Sequence, residues 1–202
     1  MEVGVKAVYA AIDKLEEDWA KCKKCRLHAN RDKMVFWRGS PEANIMLIGE
    51  APGRNEDAKG SPFIGQSGNI IDEFSEAAGL KSNEDLFITN LVCCRPPQNR
   101  DPKPDEVKEC WPRLEGMIRI VNPKVLLVVG APAARRLAGV IRISDWVGEK
   151  TEVELGWGEE RLVIPAVCMY HPAYYLRKRQ KWLRNMMVDC FKKVKEVADA
   201  QL

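Results

Sequence analysis

Four cysteines fall into two pairs: Cys22 and Cys25 make a C-x2-C step, and Cys94 and Cys110 bracket the segment CRPPQNRDPKPDEVKEC. Two close thiols and two distant ones let a chain wrap a tetrahedral metal or an iron–sulfur cube from two directions, so this spacing points to a structural metal centre. Cys22 and Cys25 lie in the basic run AKCKKCRLH, where a thiol buried only for packing would be out of place. The other three of the seven cysteines differ: Cys168 in VIPAVCMY and Cys190 in MMVDCF read as small core residues, and Cys93 stands beside Cys94. The odd count and the lack of an apolar leader after Met1 argue against a secreted disulfide scaffold, so a reducing, intracellular compartment is expected.

These residues need a frame, and the apolar runs supply one. Asn44–Gly49 (NIMLIG), Leu86–Val92 (LFITNLV), Lys124–Gly130 (KVLLVVG) and Arg161–Cys168 (RLVIPAVC) read as buried strands. Between and around them, helical spacing runs from Val5 to about Trp19, along SGNIIDEFSEAAGL with Ser67 as its N-cap, over Pro104 to Val121, along APAARRLAG, and from about Lys181 to the C-terminus. Ile141 to Glu160 reads as a β-hairpin region and MYHPAYY as a loop. The alternation predicts α/β class: a parallel sheet covered on both faces by helices, as one domain over residues 1–202. With 46% hydrophobic residues in 202 the chain can bury a real core, and it has no apolar run of about 18 residues, so no membrane span is expected.

In such a sheet ligands bind beyond the C-terminal strand ends. The first strand runs into GEAPGRNEDAKGSPFIGQSG, the second into CCRPPQNR and the last into YHPAYYLR. Neither G-x-G-x-x-G nor G-x-x-x-x-G-K-[ST] is present, which disfavours a nucleotide cofactor. His171, one of two histidines, is fixed by Pro172 just past an apolar strand, where a donor to developing charge would be useful. The net charge of +3 says little, but its distribution is uneven. Lys21 to Lys33 carries six bases against Asp32, and RKRQKWLR places Arg177, Lys178, Arg179, Lys181 and Arg184 together without an acid, as suits a polyanion.

Across about Cys22 to Arg177 the chain resembles the family 4 uracil-DNA glycosylases, the iron–sulfur branch of the uracil-DNA glycosylase superfamily. Five elements in order carry the resemblance: C-x2-C-R-L, GEAPG with Glu56 and Asp57 following, SPFIGQSG, TN-x3-CRPP-x-NR with a second cysteine sixteen positions on, and HPAYYLR. It implies a three-layer α/β/α sandwich with a central four-stranded parallel sheet. It also implies a [4Fe–4S] cluster on Cys22, Cys25, Cys94 and Cys110, and hydrolysis of the bond between deoxyribose and uracil in DNA. By the same resemblance Gly49, Glu50 and Ala51 offer backbone to the base, Phe63 stacks on it, Asn90 reads its edge and His171 donates to the uracil oxygen that gains charge. Ala51 stands where the best-known branch has an aspartate, so Glu56, oriented by Asn99, is the expected positioner of water. Tyr174, Tyr175, Leu176 and Arg177 are expected to fill the gap left by the base and grip the strand.

No lysine occupies a matched catalytic position, so a monofunctional enzyme without a lyase step is expected. Two departures, Cys93 where family members often carry lysine and the Tyr174–Tyr175 pair, keep open a same-fold enzyme acting on another deaminated or modified base. A superfamily binding protein trapped covalently through an extra histidine is disfavoured, because no histidine follows Asn90 before His171. A zinc-stabilised damaged-DNA-binding module without catalysis is the remaining alternative. The expected partner is uracil-containing DNA, met by a monomer; a replication clamp as a further partner is not readable in the sequence.

Overall fold

In the computed structural model, which describes residues 2–157 and 160–201, six strands form a single sheet in the order β1-β3-β2-β4-β6-β5. They are β1 (Trp37–Gly39), β2 (Ile45–Gly49), β3 (Leu86–Asn90), β4 (Val125–Val129), β5 (Lys150–Trp157) and β6 (Glu160–Met169). The four central strands, β3, β2, β4 and β6, run parallel, as expected. The expected strand count is corrected from four to six, because β1 pairs antiparallel outside β3 and β5 antiparallel outside β6. β1 is only three residues long and gives no readable alternation, and the hairpin expected within Ile141 to Glu160 is corrected: that region supplies one arm, β5, and the other arm is β6.

Every residue of β2, β3 and β4 is buried, which explains why these strands are apolar without alternation. Successive side chains still part to opposite faces. Met46, Ile48, Leu126 and Val128 pack beneath α1 (Glu2–Trp19), α4 (Pro104–Val121) and α5 (Ala131–Ala138). Ile45, Leu47, Val125, Leu127 and Val129 pack beneath α3 (Gln66–Ala77) and α7 (Lys181–Asp199). Helices therefore cover both faces, the expected three-layer arrangement. Among the described residues no helix is long and apolar enough to cross a membrane.

Two local expectations are corrected. The N-cap of α3 is Gly65 rather than Ser67. The MYHPAYY segment is not all loop: Pro172, whose fixed φ suits a first helical position, starts α6 (Pro172–Lys178), with His171 as its N-cap. One further short helix, α2 (Arg54–Lys59), closes at Gly60, whose φ of 84° is the left-handed cap that glycine takes without strain.

Candidate active site

A cleft of about 940 Å³ opens beyond the C-terminal ends of the parallel strands. β2 and β3 pair so that Gly49 lies directly opposite Asn90, which lines the cleft. The register leaves no room above Gly49: a Cβ there would stand 2.5 Å from Asn90 Oδ1 and 2.5 Å from Phe63 Cζ. Gly49 therefore serves the site by lacking a side chain, and Glu50 and Ala51 continue its wall. Asn90 is 2% exposed, and among the described residues its Oδ1 is one of the few buried side-chain polar atoms without a protein partner. An orphaned buried acceptor is unfavourable unless a ligand N–H completes it.

Phe63 is placed by strain and by a second glycine. Its φ of 51° is unusual for a bulky residue. In the first turns of α3, Gly68 lies so near that a Cβ on it would meet the Phe63 carbonyl oxygen at 1.6 Å. Glu56 holds the same loop from the other side, its Oε1 accepting from the backbone N–H groups of Ile64 at 3.1 Å and Gly65 at 3.0 Å. Oε2 takes no protein hydrogen bond among the described residues and lies against Gly53, where a Cβ would come within 2.7 Å of it. Asn99 also lines the cleft, but the expected hold of Asn99 on Glu56 is corrected: Asn99 Oδ1 accepts from Arg95 Nε at 2.7 Å, and backbone amides orient Glu56.

His171 faces Phe63 with ring centroids 6.1 Å apart. Its Nδ1 accepts from the Ala173 N–H at 3.2 Å, so a neutral ring carries its proton on Nε2. Burial first, and then the positive charge of Arg177, push the His171 pKa down to about 4, against a smaller opposing effect of Glu56. The ring is therefore neutral at physiological pH. On the other wall, burial pushes the Glu50 carboxyl up to about 7, with the negative charge of Asp101 beside it adding to the rise.

The two groups act on stability with opposite signs. Between about 6.5 and 4 the unfolded chain binds the His171 proton and the folded chain does not, so this group removes stability as pH falls. Between 4.5 and about 7 the folded chain keeps the Glu50 proton that the unfolded chain has lost, so this one removes stability as pH rises. With only two histidines, an NMR titration assigned with His171→Ala should show one imidazole with an Nε2–H that stays neutral from about pH 8 to 5.5. An imidazole at position 171 titrating near 6.5 would contradict this geometry.

The last strand end delivers Leu176 and Arg177 to the cleft. Tyr174 and Tyr175 do not line it: Tyr174 packs on Tyr170 at 4.9 Å, and Tyr175 meets Phe74 edge-on at 5.1 Å. Arg184, at the end of the basic run, is paired with Glu73 at 3.2 Å and lies over the Phe74 ring. Sequence reading passed over Arg54, Arg100, Asp101 and Arg135, which also line the cleft. The NRD of the second loop is the available signal for Arg100 and Asp101, and Arg135 lies in APAARRLAG, which the sequence marks only as a helix.

Cys22, Cys25, Cys94 and Cys110 come together around one small cavity, with Cys93 as a fifth thiol. Among the described residues no three His, Cys, Asp or Glu side chains are drawn together as for a single metal ion. Arginines act on two of these thiols, Cys94 and Cys110, whereas burial and then neighbouring negative charge push Cys25 up. Arg31 Nη1 donates to Cys94 Sγ at 3.2 Å, and Cys93 Sγ lies 3.6 Å from Cys110 Sγ. Hydrogen bonding from Cys93, aided by Arg113, holds Cys110 down to about 5, and Cys93 with Arg31 holds Cys94 down to about 7. Glu106, fully buried at the third position of α4, anchors the connecting loop by accepting from Arg100 at 2.6 and 2.8 Å and from the Lys103 N–H at 2.8 Å.

The chain thus combines a parallel sheet, a polar cleft at its strand ends and a group of thiols. The family model of the uracil DNA glycosylase superfamily matches residues 36–196. The chain is 36% identical to a type-4 uracil-DNA glycosylase of Archaeoglobus fulgidus over 192 residues, 93% of each protein. It is 37% identical to one of Saccharolobus solfataricus over 195 residues, 94% of this chain and 88% of that protein, and 35% identical to one of Thermotoga maritima over 184 residues, 87% and 88%. The chain belongs to the uracil-DNA glycosylase superfamily and, within it, to the type-4 family.

Proposed function

We propose that this protein is a monofunctional DNA repair glycosylase that draws uracil out of DNA and hydrolyses its N-glycosidic bond, leaving an abasic site. The observation that carries the reading is the unpartnered Asn90 amide oxygen in the cleft, faced by Phe63 and a neutral His171. A base must leave the duplex stack before its glycosidic carbon can be reached, and a flat apolar ring with a polar edge-reader suits an extruded base. Asn90 Oδ1 accepts from the uracil N3–H. Cytosine offers no hydrogen at that nitrogen and would leave the acceptor orphaned.

Bond cleavage leaves negative charge on the departing base and positive charge on the sugar. His171 Nε2–H donates to the uracil oxygen that gains charge, and it does so as a neutral donor, with no proton to lose first. Glu56, which lines the cleft, holds through Oε2 the water that adds its oxygen to the sugar carbon, the water proton passing toward the carboxylate. Leu176 and Arg177 meet the DNA at the rim, and the exposed bases of the same helix end contact phosphate, which makes binding fall with salt.

Cys22, Cys25, Cys94 and Cys110 would hold a [4Fe–4S] cluster. The donor set fits it, being all thiol, soft, and held toward the thiolate form at Cys94 and Cys110. Such a cluster supplies a cross-link between the Cys22–Cys25 turn and the loop after β3, and no step of the hydrolysis passes through it.

The test is release of free base from oligonucleotides with one uracil, one hypoxanthine or only ordinary bases, followed by alkali to reveal abasic sites. Uracil release alone is the expected result. Release of hypoxanthine without uracil would overturn the substrate assignment, and tight binding without release from either would overturn catalysis.

A further inference from the structure

The end of β3 is held from behind by a side chain that no step above uses. Arg113 lies on α4 three residues after Cys110 and is 0% exposed. Its guanidinium fork closes on consecutive residues of the strand end. Nη2 donates to the carbonyl oxygens of Asn90 at 2.6 Å and Leu91 at 2.9 Å, and Nη1 to the Thr89 hydroxyl at 3.1 Å, with the Met117 sulfur at 3.3 Å. Cys110 lies one helical turn back on α4, and the guanidinium interacts electrostatically with the Cys110, Cys93 and Cys94 thiols, while its buried Nε has no hydrogen-bond partner among the described residues.

A buried guanidinium requires a counter-charge. No carboxylate bonds to Arg113 among the described residues, and Glu106, the fully buried acid of the same helix, is taken by Arg100 and Lys103. Cys110 and Cys94, as thiolate ligands of the proposed cluster, would supply that charge. A position on α4 whose neighbours Leu114, Met117 and Ile118 are all buried apolar residues thus carries a cation, because it adjoins both the thiols and a row of carbonyls.

We propose that Arg113 is a positioning residue that joins the cysteine centre to the base-reading end of β3. It fixes the backbone that aims the Asn90 amide, and the thiolates neutralise its charge. This rests on the assignment of Asn90 and of the four cysteines given above. Two properties then share one side chain: how well uracil is selected, and how electron-rich the cluster is. A lysine keeps the charge but cannot span two carbonyls and a hydroxyl as a planar fork does, and a methionine fills similar space without charge.

The experiment compares the cluster-loaded wild type with Arg113→Lys and Arg113→Met. It reads the reduction potential of the visible cluster band by spectroelectrochemistry, and kcat and KM on the uracil oligonucleotide. Loosening the strand end should lower kcat roughly 10- to 100-fold in both variants with a smaller change in KM, since phosphate contacts at the rim are untouched. The potential should stay near wild type in Arg113→Lys and fall in Arg113→Met, because a nearby cation favours the more negative reduced cluster. Wild-type kcat in Arg113→Lys, or an unchanged potential in Arg113→Met, would overturn the proposal. Should Arg113→Met fail to accumulate, Arg113→Lys decides alone, with faster hydrogen exchange of the Leu91 amide, bonded to Gly49 O at 2.9 Å, as the second expected sign and unchanged exchange as the contrary one. If the wild type released no uracil, the functional reading would fail, while potential and exchange would still decide the role of Arg113.

Discussion

His171→Ala is expected to slow base release from a single-uracil oligonucleotide by roughly 10²–10³-fold, the usual effect of removing one preorganised donor to developing negative charge. The size follows from geometry already in place. The Ala173 N–H occupies Nδ1 and fixes the tautomer, burial and Arg177 keep the ring neutral, and Nε2–H is left to face the cleft. Nothing in this arrangement grips the DNA backbone, so affinity for a uracil duplex, read by fluorescence anisotropy, should change far less than the single-turnover rate. Equal losses in both would recast His171 as a DNA contact.

Glu56→Gln should lower the same rate by roughly 10²–10⁴-fold, the range for a group that positions or deprotonates water. The substitution separates two roles. The side-chain oxygen of Gln can still accept from the Ile64 and Gly65 amides, which keeps the Phe63 loop in place, while the NH2 group replaces Oε2 and removes the acceptor offered to water. Glu56→Ala removes both and should also lower the melting temperature. A Gln variant as fast as wild type would show that Glu56 serves only to hold the loop.

The central strands were legible because burial on both faces leaves an unbroken apolar run, as in VLLVV of β4. Shorter pieces were not. Trp37–Gly39 joins the sheet because β3 offers it an open edge, and Arg54–Lys59 is a polar hexamer with no apolar stripe, defined by its glycine caps. The α3 N-cap was misread because serine is the usual signal, whereas here the Phe63 loop and the Glu56 carboxylate bring Gly65 to that position.

Within the site, the types of the groups could be read and their partners could not. Asn90, Phe63 and His171 stand at strand or loop ends, where motif order places them. That Glu56 is oriented by backbone amides, that Asn99 turns to Arg95, and that Tyr175 packs on Phe74 depend on loop paths set by contacts far apart in the chain. Arg113 was the least readable of all, since an arginine among Leu114, Met117 and Ile118 looks like a break in a core stripe until the carbonyls behind it are seen.

The antiparallel strands flanking the parallel core also bear on how the protein behaves at high concentration. An open sheet edge is a template for pairing with another chain, and a long flat one invites aggregation. On one side the edge is only the three residues of β1. On the other, β5 buries Val153 and Leu155 against the core but turns Lys150, Glu152 and Glu154 outward, with Arg161 paired to Glu154 across the ladder. A second chain adding a strand along β5 would have to seat its side chains beside these charges, so the domain carries its own protection against edge-to-edge association.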